Sequence, residues 1–257
     1  MTRWARRHGA LALALGMLPA PLVAQDVPAQ STAIIPDTLP LLTTGTTPIT
    51  DGATTTIGGG VRAGDNLFHS FARFNLGPGD IARWSASDTL TIRNVINRVT
   101  GGERSFIAGT IDASAMPGAD FYFINPAGIV FGDGATIDVG GTAHFATAQQ
   151  LGFADGSVLV SGTASGSSFS MAEPARVGFL GNNQPVTLSA TGGLGDGVAR
   201  GMAAGRLTLS AGHIALAGTS LAASTLALRA VGQGAGTVAI LASSDQGLRG
   251  GRIDLDD

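Results

Sequence analysis

The sequence predicts an all-β solenoid, a parallel β-helix, and three observations carry that expectation. Short runs of period-two alternation recur between glycines, asparagines and aspartates: Thr89-Leu90-Thr91-Ile92, Thr136-Ile137-Asp138-Val139, Arg206-Leu207-Thr208-Leu209, His213-Ile214-Ala215-Leu216, Leu226-Ala227-Leu228, Val238-Ala239-Ile240-Leu241 and Arg252-Ile253-Asp254-Leu255. No window of helical length keeps an i, i+3, i+4, i+7 apolar stripe free of glycine, and helix caps are missing. The segments also resemble one another. Thr-Ile-Asp stands at 110–112 and 136–138 and is echoed by Arg252-Ile253-Asp254, and from about residue 205 glycine-bounded strands follow one another as rungs. Strands this short suit a sandwich or barrel as well, and the likeness between segments is what favours a stacked coil.

Composition agrees. Of 257 residues, 44% are hydrophobic but only 13% charged and 5% aromatic, while glycine reaches 39, so the surface is made of Ser, Thr, Gly and Asn. Stacked turns need small residues, because each coil lies about 4.8 Å above the last and corners call for positive φ. Cysteine is absent, which leaves packing and hydrogen bonding to hold the fold and excludes disulfides and thiolate metal sites. All fifteen basic residues are arginine.

Residues 1–24 read as a secretory signal. Arg3, Arg6 and Arg7 form the basic n-region, and residues 10–18 form an apolar stretch too short to span a bilayer. Cleavage is expected after Ala24, with Ala20 as the alternative because Leu22 is bulky for the −3 position. Removing the three arginines takes the formal charge from −3 to −6, since residues 1–24 hold no acid, and this leaves no footprint for nucleic acid. Residues 25–48, rich in Pro, Thr and Ser, are expected to form an extended leader rather than core. The main domain follows at 49–165 and continuing repeats at 166–257. The last residues, Arg252 to Asp257, read as the middle of a rung with no cap, so the sequence is expected to be a fragment or an unusually short member of its kind.

Two segments stand apart from the repetitive background. Asn66-Leu67-Phe68-His69-Ser70-Phe71-Ala72-Arg73-Phe74-Asn75-Leu76 holds three of eleven phenylalanines and settles on no single period, so it reads as a loop or short strand pair over the coil's N-terminal end. In the second, Phe121, Phe123, Ile129 and Phe131 flank the turn Asn125-Pro126-Ala127-Gly128. There Pro126 presets φ, Gly128 supplies a conformation other residues resist, and Asn125 can bond the turn's backbone. Taken alone, this is a structural corner between two core strands.

Four ordered blocks, residues 66–75, 94–102, 107–111 and 123–132, closely resemble the secretion domain of the two-partner secretion exoproteins, the family of filamentous haemagglutinin and the haemagglutination-activity-domain proteins. The resemblance spans about residues 45–160. It departs at Ala127, where the family usually has a second Asn. It implies a right-handed β-helix with an N-terminal cap, recognised in the periplasm by the POTRA domains of an outer-membrane barrel transporter, then passed unfolded through that barrel to the cell exterior. It also implies a transporter-recognition motif at Asn66, Leu67, Phe68, His69, Ser70 and Phe71 and at Asn125, Pro126, Gly128 and Ile129. A secreted or cell-surface monomer is expected, with a possible host or cell-surface ligand.

Other functions find less in the residues. His8, His69, His144 and His213 are scattered without metal spacing, and no Gly-x-Ser-x-Gly elbow precedes a helix, so neither a metal nor a catalytic site is expected. Asp112, Asp138 and Asp254 could form a ladder on one face, but aspartate most simply ends a strand there, and lyase chemistry on acidic sugars also wants gathered basic residues. Gly132-Asp133-Gly134 and Gly232-Gln233-Gly234-Ala235-Gly236 open no helix and read as turns, so no cofactor is expected. A carbohydrate-binding adhesin module remains the main alternative, although Trp84 is the one tryptophan outside the signal.

Overall fold

The computed structural model describes residues 31–38, 43–161, 167–189, 201–217, 220–240 and 253–256. The expected signal and both cleavage sites lie outside them. The described chain is β-structure with a single 3-10 turn at Thr89–Thr91. Its strands are β1 (Ala33–Pro36), β2 (Thr47–Asp51), β3 (Thr54–Gly58), β4 (Val61–Ala63), β5 (Asn66–Asn75), β6 (Ile81–Trp84), β7 (Asn94–Val99), β8 (Ser105–Ile107), β9 (Thr110–Asp112), β10 (Asp120–Ile124), β11 (Ile129–Phe131) and β12 (Thr136–Ala146). There follow β13 (Gln150–Phe153), β14 (Val158–Val160), β15 (Pro174–Leu180), β16 (Pro185–Ser189), β17 (Gly201–Ala211), β18 (His213–Ala217), β19 (Ser220–Ala230), β20 (Ala235–Ala239) and β21 (Ile253–Asp256).

Pairing turns this list into a three-sided, β-helix-like coil. On one side β5, β7, β10, the second half of β12, and the second halves of β17 and β19 stack in parallel. The next side stacks β8, β11, β16, β18 and β21. On the third lie β3, β6, β9 and the first halves of β12, β17 and β19. The two Thr-Ile-Asp tripeptides are stacked rungs, with Thr110 over Thr136, Ile111 over Ile137 and Asp112 over Asp138. Arg252-Ile253-Asp254 is no third copy: Asp254 pairs with Ala215 on a different side, so the three aspartates form no common ladder.

β12 rounds a corner between two sides at Gly140-Gly141, where the register against β17 shifts between Ile137 and Thr142. A Cβ on Gly141 would lie 2.5 Å from the Ala119 carbonyl oxygen, so only glycine lets the two turns come this close.

The first side is buried twice. Inward, Leu67, Phe71, Phe74, Val95, Val99, Phe121, Phe123 and Phe145 form the coil interior with Trp84 and Phe131. The rings meet at short range: Trp84 to Phe121 at 4.8 Å, Phe131 to Phe145 at 4.9 Å and Phe74 to Phe123 at 5.0 Å. Outward, Phe68, Ile96, Tyr122 and Ile124 pack under a separate antiparallel sheet of order β14-β13-β15-β20, against Leu151, Phe153, Leu159, Val177, Phe179 and Val238. A strand apolar on both faces loses its period-two signature, which is why residues 66–76 matched no period. They form one ten-residue strand, β5, and not a loop or strand pair.

Two other expected strands differ. Of Thr89-Leu90-Thr91-Ile92, the first three form a 3-10 turn with Leu90 84% exposed and Ile92 follows it extended, because alternation without a partner ladder does not make a strand. Residues 235–239 do form β20, but it pairs antiparallel with β15 and so belongs to the covering sheet and not to the run of rungs. Part of the expected leader is also held against the coil. β1 pairs antiparallel with β5, and Asp37, Thr44 and Thr46 are buried.

Truncation in the interior should be costly. Phe123→Ala is expected to lower unfolding stability by about 3–5 kcal/mol in urea titrations, whereas Leu90→Ala should stay within about 0.5 kcal/mol.

Candidate functional site

β5 is the first strand of its parallel side, as β3, edged by β2, is of the third, and a parallel ladder leaves its first strand with a row of unpaired backbone groups. Here that edge is filled piecewise. β4 pairs with residues 66–68 and β1 with residues 71–75, both antiparallel. Between them, the Ser70 amide donates to Thr44 Oγ1 at 3.0 Å, and the Ser70 carbonyl accepts the Asp37 amide at 3.0 Å.

Side chains extend this closure into a buried polar node. Ser70 Oγ donates to Asp37 Oδ2 (3.1 Å) and accepts from Arg98 Nε (3.0 Å), while Thr100 Oγ1 also donates to Asp37 Oδ2 (2.6 Å). Arg98 is fully buried; its Nη1 donates to the Val160 carbonyl (2.8 Å) and to Ser167 Oγ (3.0 Å), and its guanidinium lies 5.7 Å from the Phe169 ring centroid. Burial pulls the Arg98 pKa down and the Asp37 carboxylate works against that shift. The node joins the leader, β5, β7 and the covering sheet.

A ladder of asparagines runs beside it. Asn94 Nδ2 donates to Asn66 Oδ1 (2.8 Å) and to Glu173 Oε2 (2.9 Å), and Asn66 Nδ2 donates to the Ser170 and Ala172 carbonyls, both at 2.8 Å. Farther along β7, Asn97 Oδ1 accepts from Trp84 Nε1 at 2.8 Å, satisfying the one polar atom of an otherwise apolar ring.

The second segment is built as a corner. Gly128 N donates to the Asn125 carbonyl (3.1 Å), closing the turn, and Gly128 adopts φ 113°. Asn125 Oδ1 accepts the Ala127 amide (2.9 Å), and its Nδ2 donates to the Glu103 carbonyl and to Ser105 Oγ, both at 2.9 Å. Asn125 thus ties the turn to the preceding rung.

The structure places the expected motif residues in two groups. Leu67, Phe71 and Ile129 belong to the coil interior, and His69 lies 6.3 Å from the Phe71 ring with Nδ1 3.2 Å from Thr46 Oγ1. Asn66, Phe68 and Ser70 contact the covering sheet, the leader or Arg98 instead. Asn125 and Gly128 are buried as well, and Pro126 is half-buried. Sequence reasoning missed Asp37, which sits in no motif, and Arg98 with Asn94 and Asn97. The signal for the last three was present in Asn94-Val95-Ile96-Asn97-Arg98-Val99, where polar residues break the period of a strand core.

Two histidines are buried in this region. Burial pushes His69 down to about 3, and burial with the nearby Arg229 charge pushes His144, stacked on Tyr122 at 4.6 Å, down to about 4. Burial, then Asp120 and Glu173, raises the Tyr122 hydroxyl. Among the described residues no group of three or more His, Asp or Glu side chains could hold a metal ion.

The model of the TPS (two-partner secretion) secretion domain family matches residues 37–257, beginning at the aspartate of the node. The chain belongs to the two-partner secretion domain family. It therefore carries the N-terminal secretion domain of an exoprotein, and the family is one of secretion domains and not of enzymes. The domain is also similar to the crystal structure of the HMW1 secretion domain from Haemophilus influenzae, at 18% identity and a TM-score of 0.46. That alignment covers 86% of this chain and 49% of the other, so the chain spans about half of that structure. No curated protein sequence matches it.

Two measurements follow from the burial in this secretion domain. Arg98→Ala strands Asp37 inside the protein and should cost about 3–5 kcal/mol, while Asp37→Asn combined with Arg98→Met should recover part of that loss in a double-mutant cycle. His69 and His144 are neutral in the folded chain but titrate near 6.5 when unfolded, so the unfolded state binds more protons below that pH. Their stabilisation is complete above pH 6.5 and is lost as pH falls toward 4 and 3. Urea titrations between pH 6 and 4 should show a fall of about 1.4 kcal/mol per pH unit for each histidine, and His144→Gln should remove one of the two contributions.

Proposed function

We propose that this domain is the segment that a partner outer-membrane barrel transporter recognises through its periplasmic POTRA domains, and that the exoprotein then crosses the barrel unfolded and coils outside the cell. The family match over residues 37–257 is the observation that carries the reading. The domain's job is then delivery, with no catalytic step and no cofactor, and the product is a secreted or cell-surface chain.

The coil's physics suits such a route. Contacts between successive rungs are local, so folding can propagate turn by turn from the first one. No cysteine is present to form a disulfide that would block a narrow pore. A right-handed sense is the one that parallel crossovers adopt almost without exception, and the antiparallel strands β1 and β4 over β5 serve as the N-terminal cap.

Burial sets the timing. Phe68, Phe71, Asn125 and Ile129 are each no more than 1% exposed in the folded domain. Recognition of these residues therefore acts on a chain in which they are still uncovered, before the coil and its covering sheet are complete. The Asn125 to Gly128 turn is local and needs no distant partner, so it can form in such a chain.

Deleting the transporter should abolish export. Asn125→Ala, and Phe68→Ala with Phe71→Ala, should lower secretion more than they lower the yield of refolding in vitro. Equal losses in the two assays would reduce these residues to a purely structural role.

A further inference from the structure

We infer that the antiparallel sheet β13-β14-β15, with residues 167–173, is a lid whose closure over the outward face of β5, β7 and β10 ends recognition by the transporter. This rests on the transporter reading above and adds the surface and the event that releases it. Four observations carry it.

The lid's strands pair among themselves and, through β15, with β20, in a sheet separate from the parallel ladders, so the coil's first side can exist without it. The hold is by side chains. The Phe68 ring lies 6.0 Å from Phe153 and 5.1 Å from Phe169, Asn66 reaches the Ser170 and Ala172 carbonyls, and Arg98 reaches the Val160 carbonyl. The lid also comes later in the chain than every strand of the face it covers, β5, β7 and β10, so it closes on a surface already made. Finally, the covered stripe of Phe68, Ile96, Tyr122 and Ile124 is too apolar to be left to water. Until the lid docks, that stripe, flanked by Asn66 and Arg98, is uncovered, and two of the expected motif residues, Asn66 and Phe68, stand on it or beside it. Leu67, Phe71 and Ile129 face the coil interior, so the stripe is what stays open once the rungs have stacked.

The test uses the domain and the purified POTRA domains of the partner transporter. Phe179→Asp, and separately Leu151→Asp, place a charge on the lid's buried face and hold it open. Trp84, buried in the coil interior, reports by its fluorescence whether the coil itself remains folded. For the closed state, Gly64→Cys with Met171→Cys is suited, because a Cβ on Gly64 would stand 3.3 Å from Met171 Cβ and no native cysteine competes. Gly64 has φ 57°, so the reduced form of the same variant is its control.

With Trp84 still buried, either open-lid variant should bind the POTRA domains at least about tenfold more tightly than the wild-type fold, since the closed population no longer taxes binding. The oxidised cysteine pair should bind tenfold or more weakly than its reduced form, and Phe68→Ala in the open-lid background should erase the gain. If open-lid variants bind no better than wild type, or if only chains with exposed Trp84 bind, the lid has no such role while transporter recognition stands. If no form binds, urea-unfolded chain included, the transporter reading itself falls, and the lid inference with it.

Discussion

Each side of a parallel coil must begin somewhere, and β5, the first strand of the doubly buried side, has one edge with no rung beneath it. In this domain that edge is closed around Ser70, whose backbone is satisfied by Thr44 and Asp37 and whose hydroxyl joins Asp37 to the buried Arg98. Everything stacked on β5 inherits its position from that closure. An arginine buried this completely is expensive unless its donors and its charge are met, and the partners come from three separate parts of the chain. The leader and the first two rungs bring Asp37, Ser70, Thr100 and the Arg98 Nε together, and the covering sheet then completes the node through the Val160 carbonyl and Ser167. It works as a check on assembly more than as a source of stability.

The second constraint is double burial. β5, β7 and β10 face the coil interior on one side and the antiparallel sheet on the other, so nearly every residue of these strands is withdrawn from water. The residues we propose for recognition by a transporter are thereby removed from reach once folding finishes. On the transporter reading proposed above, recognition and folding use the same side chains in turn.

How legible all this was in the sequence follows from the same two constraints. The alternating runs at 136–139, 206–209 and 213–216 were readable because their strands have one dry face and one less buried face. The Thr-Ile-Asp repeat was readable because it is a true stacked pair. The repeat stayed weak because the rungs differ in length: Asn66 to Asn94, Val95 to Phe121, Phe121 to Ala143 and Leu207 to Leu226 are steps of 28, 26, 22 and 19 residues. β5 was misread because two-sided burial erases period two, and β20 because a sequence pattern cannot say which sheet a strand joins. The turn at Asn125 was legible, since Pro126 and Gly128 carry local signals. The node was not: Asp37 owes its role to Ser70 and Arg98, which are distant in sequence, and no local pattern encodes such a meeting.

Hydrogen–deuterium exchange on wild-type and Asp37→Asn domains tests the central claim that the whole stack depends on closure of the first rung. The substitution should lower amide protection in β5 and then, to a diminishing extent, through β7, β10 and β12. Loss of protection confined to residues 31–48, with β5 and β7 as protected as in the wild type, would contradict it.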